Sequence, residues 1–394
     1  MAEMIYPGQL AHQLTGEMAN HFLLWAVGQR ASDVVFRGDD PPWIQVDGVW
    51  HPTATTFAVS PSEVELLTNI FAGQSHKAAN VQAGKSADFA YSLRIPGERG
   101  RAYRFRVNVT GSNAGHYIVM RSLPDKLPLV GDLKLEDGIM QSIYPPNGIV
   151  IISGVMGSGK STLLAGVIHS AILKKECGGL GIGRQILTLE QPIEFDFSSI
   201  PHENRCAPIA QSEIGQDVES WVAGVRTMTR RKGEIVMVGE ARDYETLEAM
   251  ISVVEQGVTA YATVHAQDVP QTLTRIVNAF PEEERASIAS VLKANLRLLI
   301  HQRLVPRINR TEEEIRNGVP ERIPLREYLV FDESLRLEMY RTSYEDLIPK
   351  VREMVRTRGQ QLVADAKAKF DAGKIAFETY EAIKHEQEVT HSSK

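Results

Sequence analysis

The chain has 394 residues, of which 43% are hydrophobic and 23% are charged; this balance excludes a disordered or fibrous protein and predicts about two or three globular domains. The formal net charge of -6 argues against a protein that wraps nucleic acid nonspecifically, because that function needs a basic surface, so no specific nucleic-acid partner is expected. Two cysteines, Cys177 and Cys206, give neither a zinc-ligand spacing nor a disulfide framework, which suits a reducing cytoplasm.

The N-terminal third of the sequence predicts a small α+β domain over residues 1–121. A capping box in "SPSEVELLTNIF", made of Ser60, Pro61 and Glu63, predicts that a helix begins there. The other predicted elements are a helix and three strands, at about His12–Arg30, Val34–Phe36, Trp43–Val46 and Tyr103–Val109. The apolar run Phe22–Val27 is too short to span a bilayer, and it lacks the basic flank and cleavage site of a signal peptide. The sequence therefore predicts neither a membrane-spanning helix nor a signal peptide.

A linker and an α/β domain follow along the chain. Two prolines and a glycine in "SLPDKLPLVGDL" predict the linker at residues 122–133. Over residues 134–331, apolar strands alternate with helical segments, which indicates a parallel sheet covered on both faces. Its four predicted strands are Gly148–Ile152, Gln185–Leu189, Ile235–Val238 and Ala260–Val264. Residues 332–394 show helical spacing and predict a helical C-terminal region, with Gly373 ending one helix.

The stretch "SGVMGSGKSTLL" predicts a phosphate-binding loop. Gly154, Gly159, Lys160 and Ser161 satisfy the pattern G-x-x-x-x-G-K-S between a strand and a helix. The glycines let backbone N–H groups converge on phosphate oxygens, Lys160 reaches the β and γ phosphates, and Ser161 ligates Mg²⁺. A simple glycine-rich turn is the alternative, which the two flanking elements disfavour. ATP and Mg²⁺ are the expected cofactors, and the predicted contacts are Gly154, Val155, Met156, Gly157, Ser158, Gly159, Lys160, Ser161 and Thr162.

Acidic residues lie at the ends of two further strands. Glu240 follows Ile235–Val238, and open α/β sheets place their ligands at the carboxyl ends of strands, so Glu240 is the candidate to hold the magnesium shell and polarise water. Glu190 and Glu194 flank Pro192 at another strand end, although acids four residues apart are also common on solvated surfaces. His265 ends the fourth strand, where a lone histidine is either a γ-phosphate contact or structural.

The order of these motifs resembles that of the PilT/GspE-type secretion ATPases. "GVMGSGKS", "LEQPIEF", "MVGEARDYET" and "ATVHAQD" are similar to the family's Walker A, Asp, Walker B and His boxes. "ASDVVFRGDDPPWIQVDGVW" and "YRFRVNVTGSNAGHYIVMRSLP" resemble its PAS-like N-terminal domain and arginine-bearing hairpin. The resemblance implies a RecA-like P-loop core between that N-terminal domain and a C-terminal helical tail.

Residue roles follow from the same resemblance. It implies that Glu194 is the general base, that Glu240 polarises water or magnesium, and that Glu190 reaches magnesium through water. It also implies that three arginines act as fingers on the nucleotide phosphates. These are Arg104, Arg106 and Arg121. An exposed face of alternating arginines is the alternative for Arg104 and Arg106.

The sequence departs from the family pattern at three places. Gln191 stands where an aspartate is usual, the turn before Walker B is the basic "RRKGE" over Arg230–Glu234, and the tetracysteine zinc element is absent. Cations near a helix end with Gly233 as its C-cap explain the basic turn without a docking partner. The missing zinc element disfavours the type II secretion branch.

Within the family, "VMVGEARD", "QRLVPRI" and "LREYLVFDE" resemble the branch that serves Dot/Icm type IVB secretion and IncI-type conjugation. This implies a homo-hexameric ATPase in the cytoplasm, at the inner-membrane face, with secretion or transfer proteins as partners. Three alternatives stay open: a pilus-retraction ATPase, a nonhydrolytic scaffold and a nucleic-acid motor.

Overall fold

The structure is a computed structural model that describes residues 6, 14–53, 58–73, 77–95, 102–124, 126–173, 183–241, 243–312 and 321–392. The chain forms two compact units. The first contains Met1–Leu127, Glu190–Pro201 and Ser212–Glu219, and the second contains Pro128–Leu189, His202–Gln211 and Ser220–Lys394. No helix in these described ranges is long and apolar enough to cross a membrane. Cys177 lies outside the described residues.

The first unit is built on a six-stranded sheet with the order β3-β2-β1-β6-β5-β4. Every neighbouring pair in it is antiparallel, which confirms the predicted α+β domain. Its strands are β1 (Asp33–Arg37), β2 (Trp43–Val46), β3 (Val49–Pro52), β4 (Ala87–Arg94), β5 (Ala102–Ser112) and β6 (Gly115–Ser122), and its helices are α1 (Gly16–Gly28), α2 (Pro61–Ala72) and α3 (Lys77–Gln82).

The helices of this unit begin and pack as their sequences dictate. The predicted capping box is present at α2, where the Ser60 side chain accepts from Glu63 N–H and the Glu63 carboxylate accepts from Ser60 N–H. Aromatic rings join α1 and α2 to the sheet, because Phe36 of β1 contacts both Phe22 and Phe71 with ring centroids 5.7 and 6.1 Å away. All three rings are buried, so they form the centre of this core.

The second unit carries a seven-stranded sheet with the order β13-β12-β7-β11-β10-β8-β9. Its strands are β7 (Gly148–Ser153), β8 (Ile186–Glu190), β9 (Ile209–Glu213), β10 (Ile235–Val238), β11 (Thr259–Val264), β12 (Leu296–Pro306) and β13 (Arg322–Val330). The helices are α4 (Asp137–Ser142), α5 (Lys160–Ile172), α6 (Trp221–Arg230), α7 (Tyr244–Val254), α8 (Val269–Asn278) and α9 (Glu282–Asn295). The four predicted strands, β7, β8, β10 and β11, pair in parallel and are buried along their whole length.

The long hairpin of β12 and β13 was not among the predicted strands. β12 runs parallel to β7, whereas β13 pairs antiparallel with β12 at the sheet edge. The parallel sheet therefore continues one strand beyond β7 and then reverses direction.

The C-terminal helical region also belongs to the second unit. Its helices are α10 (Glu333–Arg341), α11 (Leu347–Arg358), α12 (Leu362–Asp371) and α13 (Phe377–Ser392). Ala366 and Ile383 from α12 and α13 share a buried cluster with Val305, Ile323 and Leu325 of the hairpin. Burial of apolar side chains against the sheet edge thus attaches the tail to the core.

The prediction for the basic turn at Arg230–Glu234 was wrong in one detail. Helix α6 ends with Arg231 as its C-cap, and the left-handed residue is Lys232 (φ 61°) rather than Gly233. Gly233 is needed for a different reason, because a Cβ there would lie 2.8 Å from the Leu187 side chain. Close packing of the turn on β8, and not helix capping, therefore favours the glycine.

Candidate nucleotide site

The loop between β7 and α5 has the backbone of a phosphate cradle. Gly154, Gly157 and Gly159 have φ values of 152°, 72° and 81°, which L side chains rarely adopt. A Cβ on Gly154 would lie 2.3 Å from the carbonyl oxygen of Gln302. Gly159 is the N-cap of α5 and has no side chain to occupy the helix end, so the first N–H groups of this helix can bind an anion.

Lys160 lies on the inside of this loop. Its side chain is buried, and its Nζ donates to the carbonyl oxygens of Gly154 and Val155 at 2.8 and 3.0 Å. Ser161 and Thr162, in the first turn of α5, are exposed. The loop therefore offers an ammonium group, backbone donors and a hydroxyl on one structure, which are the groups that a magnesium-bound triphosphate requires.

A buried polar network supports the loop from β12 and β13. Gln302 donates to the carbonyl of Ser158 at 2.7 Å and accepts from Nε of Arg326 at 2.9 Å. Arg326 is 2% exposed, and it also donates to the carbonyl of Leu133 and to the carboxylate of Glu136. Neither Gln302 nor Arg326 was predicted as a site residue, although both lie in the segments "QRLVPRI" and "LREYLVFDE".

The strand beside the loop carries a histidine that is held neutral. His301 on β12 is buried and its Nδ1 lies 3.5 Å from Ser153 Oγ. Burial, together with Arg303 and Lys160, lowers the pKa of His301 to about 4. A neutral imidazole there adds no charge to a site that already holds the Lys160 ammonium.

Glu240 and His265 form a pair at the neighbouring strand ends. Glu240 follows β10, His265 follows β11, and these strands are parallel, so both side chains emerge at the same sheet edge as the phosphate loop. His265 Nε2 lies 3.1 Å from Glu240 Oε1, with side chains 32% and 19% exposed. His265 therefore lies beside Glu240, and the roles of both residues toward the nucleotide stay predictions.

An open cavity lies between His265 and the phosphate loop. It has a volume of ≈ 530 Å³, and its lining includes Val155, Met156, His265 and Gln271. Val155 and Met156 are 51% and 85% exposed. The phosphate loop and His265 thus border one concave surface of the second unit.

The Asp box lies in the first unit. Glu190 is buried at the end of β8, Glu194 is half-buried, and the Gln191–Pro192 peptide bond between them is cis. Arg104 of β5 donates to the carbonyl oxygens of Ile193 and Glu194. The structure therefore brings Arg104 and Glu194, two of the predicted catalytic residues, into direct contact through the backbone.

The other two predicted arginines lie opposite each other on β5 and β6. Arg106 and Arg121 are partners in the strand register, and Arg121 forms an ion pair with Asp33 at 2.9 Å. Arg121 is 67% exposed and Arg106 is half-buried. Their contact with nucleotide phosphates stays a prediction.

Comparison with known proteins decides the family. The model of the type II/IV secretion system protein family matches residues 44–381. The chain belongs to this family. The resemblance inferred from the order of the four boxes is thereby confirmed.

Individual ATPases match along most of the chain. The X-ray structure of the Legionella pneumophila ATPase DotB aligns with a TM-score of 0.86 and 32% identity, over 97% of this chain and 98% of that one. The type IV pilus retraction ATPase PilT of Pseudomonas aeruginosa is 29% identical over 286 residues, covering 73% of this chain and 77% of PilT. A crystal structure of the retraction motor PilT with bound ADP has a TM-score of 0.75 at 24% identity, which supports the fold alone.

These likenesses bear out the predicted fold class and the general activity class. The family members named above are ATPases, and the architecture of a RecA-like core with an N-terminal α+β domain and C-terminal helices is confirmed. Both a DotB and a PilT are similar to this chain, so the comparisons support a secretion or pilus ATPase without choosing between the two.

Proposed function

We propose that the protein is a hexameric motor that hydrolyses ATP to power type IVB secretion or conjugative transfer, in the manner of DotB or its conjugative counterpart TraJ. The observation that carries this proposal is the phosphate loop with its buried Lys160 beside the Glu240–His265 pair. The 32% identity to DotB over nearly the whole chain favours this branch. Cytoplasmic location at the inner-membrane face, and secretion or transfer proteins as partners, belong to the same proposal.

The loop residues bind and orient the substrate. Backbone N–H groups of residues 154–162 surround the β and γ phosphates, and Lys160 neutralises part of their charge. The Ser161 hydroxyl and, through water, Glu190 and Glu240 would hold Mg²⁺, which supplies charge neutralisation on the phosphate oxygens. The three glycine conformations and the close approach of the Gln302 carbonyl to Gly154 fit this role, because L side chains rarely adopt these backbone angles and a Cβ at Gly154 would meet that carbonyl.

The carboxylates act on the attacking water. In this proposal Glu194 accepts a proton from the water as its oxygen bonds to the γ phosphorus, while the bond from that phosphorus to the ADP oxygen breaks. Glu240, oriented by His265 at 3.1 Å, polarises the water or the magnesium shell. A role for Arg106 and Arg121 in stabilising phosphate charge, and for residues 122–133 as a hinge, belongs to the same proposal.

Phosphate release by purified variants tests the chemistry. We expect Lys160→Ala and Glu240→Gln to lower ATP turnover by at least about 100-fold, since each removes charge stabilisation of the transition state. Lys85→Ala, at an exposed position of the first unit, is the matched control and should retain wild-type turnover. Undiminished hydrolysis in Lys160→Ala would show that the nucleotide site lies elsewhere, and no hydrolysis in the wild type would favour the scaffold alternative.

A pilus-retraction ATPase is the second candidate, and the likeness to PilT favours it. The two candidates share the site and differ in the process that they power. Deletion of the gene should abolish conjugation or effector translocation if the first is right, whereas loss of twitching motility alone would select the second.

A further inference from the structure

The backbone on both sides of Glu194 is held by one guanidinium group. Arg104 Nη2 donates to the carbonyl of Ile193 at 2.8 Å, and its Nη1 donates to the carbonyl of Glu194 at 3.1 Å. These two carbonyls belong to the peptide groups that precede and follow the Cα of Glu194. Because both peptide groups are fixed, the direction in which the Glu194 side chain leaves the backbone is fixed as well.

A buried carboxylate holds the same loop from the other side. Glu213, 4% exposed at the end of β9, accepts from Ile193 N–H through Oε2 and from Ala90 N–H through Oε1, both at 3.1 Å. Ala90 belongs to β4, so Glu213 connects the Asp box to the N-terminal sheet. A nearby amide also donates to this carboxylate, from Gln216 at 2.7 Å.

The two hydrogen bonds of Arg104 to the Asp box are those expected of a residue that holds the backbone of this loop in place. Arginine presents planar, paired donors that bind two acceptors at once, which lysine does not. Within the described part of the chain, the buried Arg104 Nε has no hydrogen-bond partner. The hydrogen bonds of this guanidinium therefore come from its two Nη atoms, and both go to carbonyl oxygens of the Asp box. A catalytic carboxylate needs such support, because a displacement of about 1 Å can reduce the rate on the order of 100-fold.

We propose that Arg104 and Glu213 are positioning residues that fix Glu194 in its catalytic orientation by holding the backbone of the Asp box. This inference rests on the proposed function, in which Glu194 is the general base. It differs from the role implied by the resemblance, in which Arg104 contacts the nucleotide phosphates. Glu213 has no role in that resemblance.

The first test separates turnover from nucleotide affinity. Arg104→Ala should lower kcat by about 10- to 100-fold, while the Kd of a fluorescent ATP analogue changes by less than about twofold, because no phosphate contact is lost. The matched control is Arg37→Ala, an arginine of β1 with a half-exposed side chain. A loss of affinity with kcat preserved, or no change in either, would overturn the proposal.

A double-mutant cycle then tests whether Arg104 acts through Glu194. In the Glu194→Gln background, single-turnover hydrolysis should not fall further when Arg104→Ala is added, since the group that Arg104 positions is already disabled. Multiplicative losses would contradict positioning and would favour a separate contact. If Glu194→Gln alone retains wild-type turnover, the general-base assignment fails, and the next measurement still tests whether Arg104 and Glu213 hold the loop.

Hydrogen–deuterium exchange measures directly how firmly the backbone of the Asp box is held. Glu213→Gln places an amide NH₂ against one of the two N–H groups that the carboxylate accepts, so exchange in residues 190–201 should accelerate and kcat should fall. Glu219→Gln, exposed in the same segment, is the control and should change neither. Unaltered exchange in both Glu213→Gln and Arg104→Lys would contradict the proposal; Arg104→Lys also replaces Arg104→Ala if the alanine variant fails to fold.

Discussion

At Gly154 a single hydrogen atom in place of a side chain makes the phosphate loop possible. Its φ of 152° is one that L side chains rarely adopt, and a Cβ there would lie 2.3 Å from the Gln302 carbonyl oxygen. A side chain at this position would therefore strain the loop both in its own backbone angle and against a neighbouring backbone atom.

We therefore expect Gly154→Ala to lower the free energy of unfolding by about 1–3 kcal/mol. The same change should weaken ATP binding at least about tenfold, an energy of about 1.4 kcal/mol. Chemical denaturation and a fluorescent-nucleotide titration measure the two effects. Gly28→Ala is the matched control: Gly28 ends α1, and a Cβ there meets no atom of the described residues within 4 Å. Equal stability and affinity in Gly154→Ala would show that the loop relaxes without cost.

The residues that support the site were harder to predict than the residues that form it. Lys160 and Glu240 stand in motifs whose residue types and positions already predict a role at a nucleotide. Gln302 and Arg326, by contrast, lie on an edge hairpin, and their roles depend on which strand faces turn toward the phosphate loop. That depends on strand register, which composition alone does not fix.

Among the strands of the second unit, those with a nearly uninterrupted apolar run are the ones that the sequence predicts. β7, β8, β10 and β11 are mostly apolar and are buried throughout, and the sequence predicts their bounds to within one residue. β12 mixes Leu and Ile with His301, Gln302 and Arg303, so the apolar run is interrupted and the strand was missed. Gln302 is tolerated inside because it pairs with the phosphate loop and with Arg326 of β13, whereas His301 lies beside Ser153 and the half-exposed Arg303 pairs with Glu386.

The junction between α8 and β13 holds a carboxyl group with an unusual pKa. Glu327 on β13 accepts from Val269 N–H at 2.7 Å in the first turn of α8. Burial, reinforced by the nearby Asp268, raises the pKa of Glu327 to about 7. The folded protein therefore holds a proton on Glu327 that the unfolded chain releases above its ordinary pKa of 4.5.

This proton has a definite effect on stability. Stability from Glu327 is fully present below pH 4.5 and is lost as pH rises to about 7, at about 1.4 kcal/mol per pH unit. His301 acts in the opposite sense, since its lowered pKa means that stability is lost as pH falls from 6.5 to about 4. In the wild type between about pH 4.5 and 6.5, rising pH therefore lowers the free energy of unfolding through Glu327 and raises it through His301.

Glu327→Gln removes the dependence of stability on pH that Glu327 causes, and it keeps an acceptor oxygen for Val269 N–H. The free energy of unfolding of the wild type minus that of Glu327→Gln should fall by about 3 kcal/mol between pH 4.5 and 7. Urea denaturation at fixed pH values measures this difference, in which the contributions of His301 and of other groups that do not interact with residue 327 cancel. A difference independent of pH would show that Glu327 titrates normally.

At the scale of the whole molecule, the sequence predicted the fold class better than the division of the chain into compact units. Residues 1–121 and 134–331 were assigned to separate domains, whereas the Asp box and Ser212–Glu219, both within the second range, belong to the first compact unit. The reason lies in individual side chains, because Arg104 and Glu213 bond to the backbone of Ile193. Long-range contacts of this kind leave no periodic signal along the chain.

Assembly into a ring is the remaining part of the proposed function, and it predicts how mixed subunits behave. If each active ring needs several competent subunits in turn, adding Lys160→Ala protein to wild type should lower turnover by more than its share of the mixture. A mixture with one inactive subunit in six would then lose well over one sixth of its activity.

Phosphate release at increasing fractions of the variant measures this loss, and mass photometry at each fraction shows whether rings form. Mixing wild type with Lys85→Ala in the same fractions is the control. A decline strictly proportional to the variant fraction, in samples that do form mixed rings, would mean that the subunits hydrolyse independently, and a motor that cycles around a ring would then be the wrong description of this ATPase.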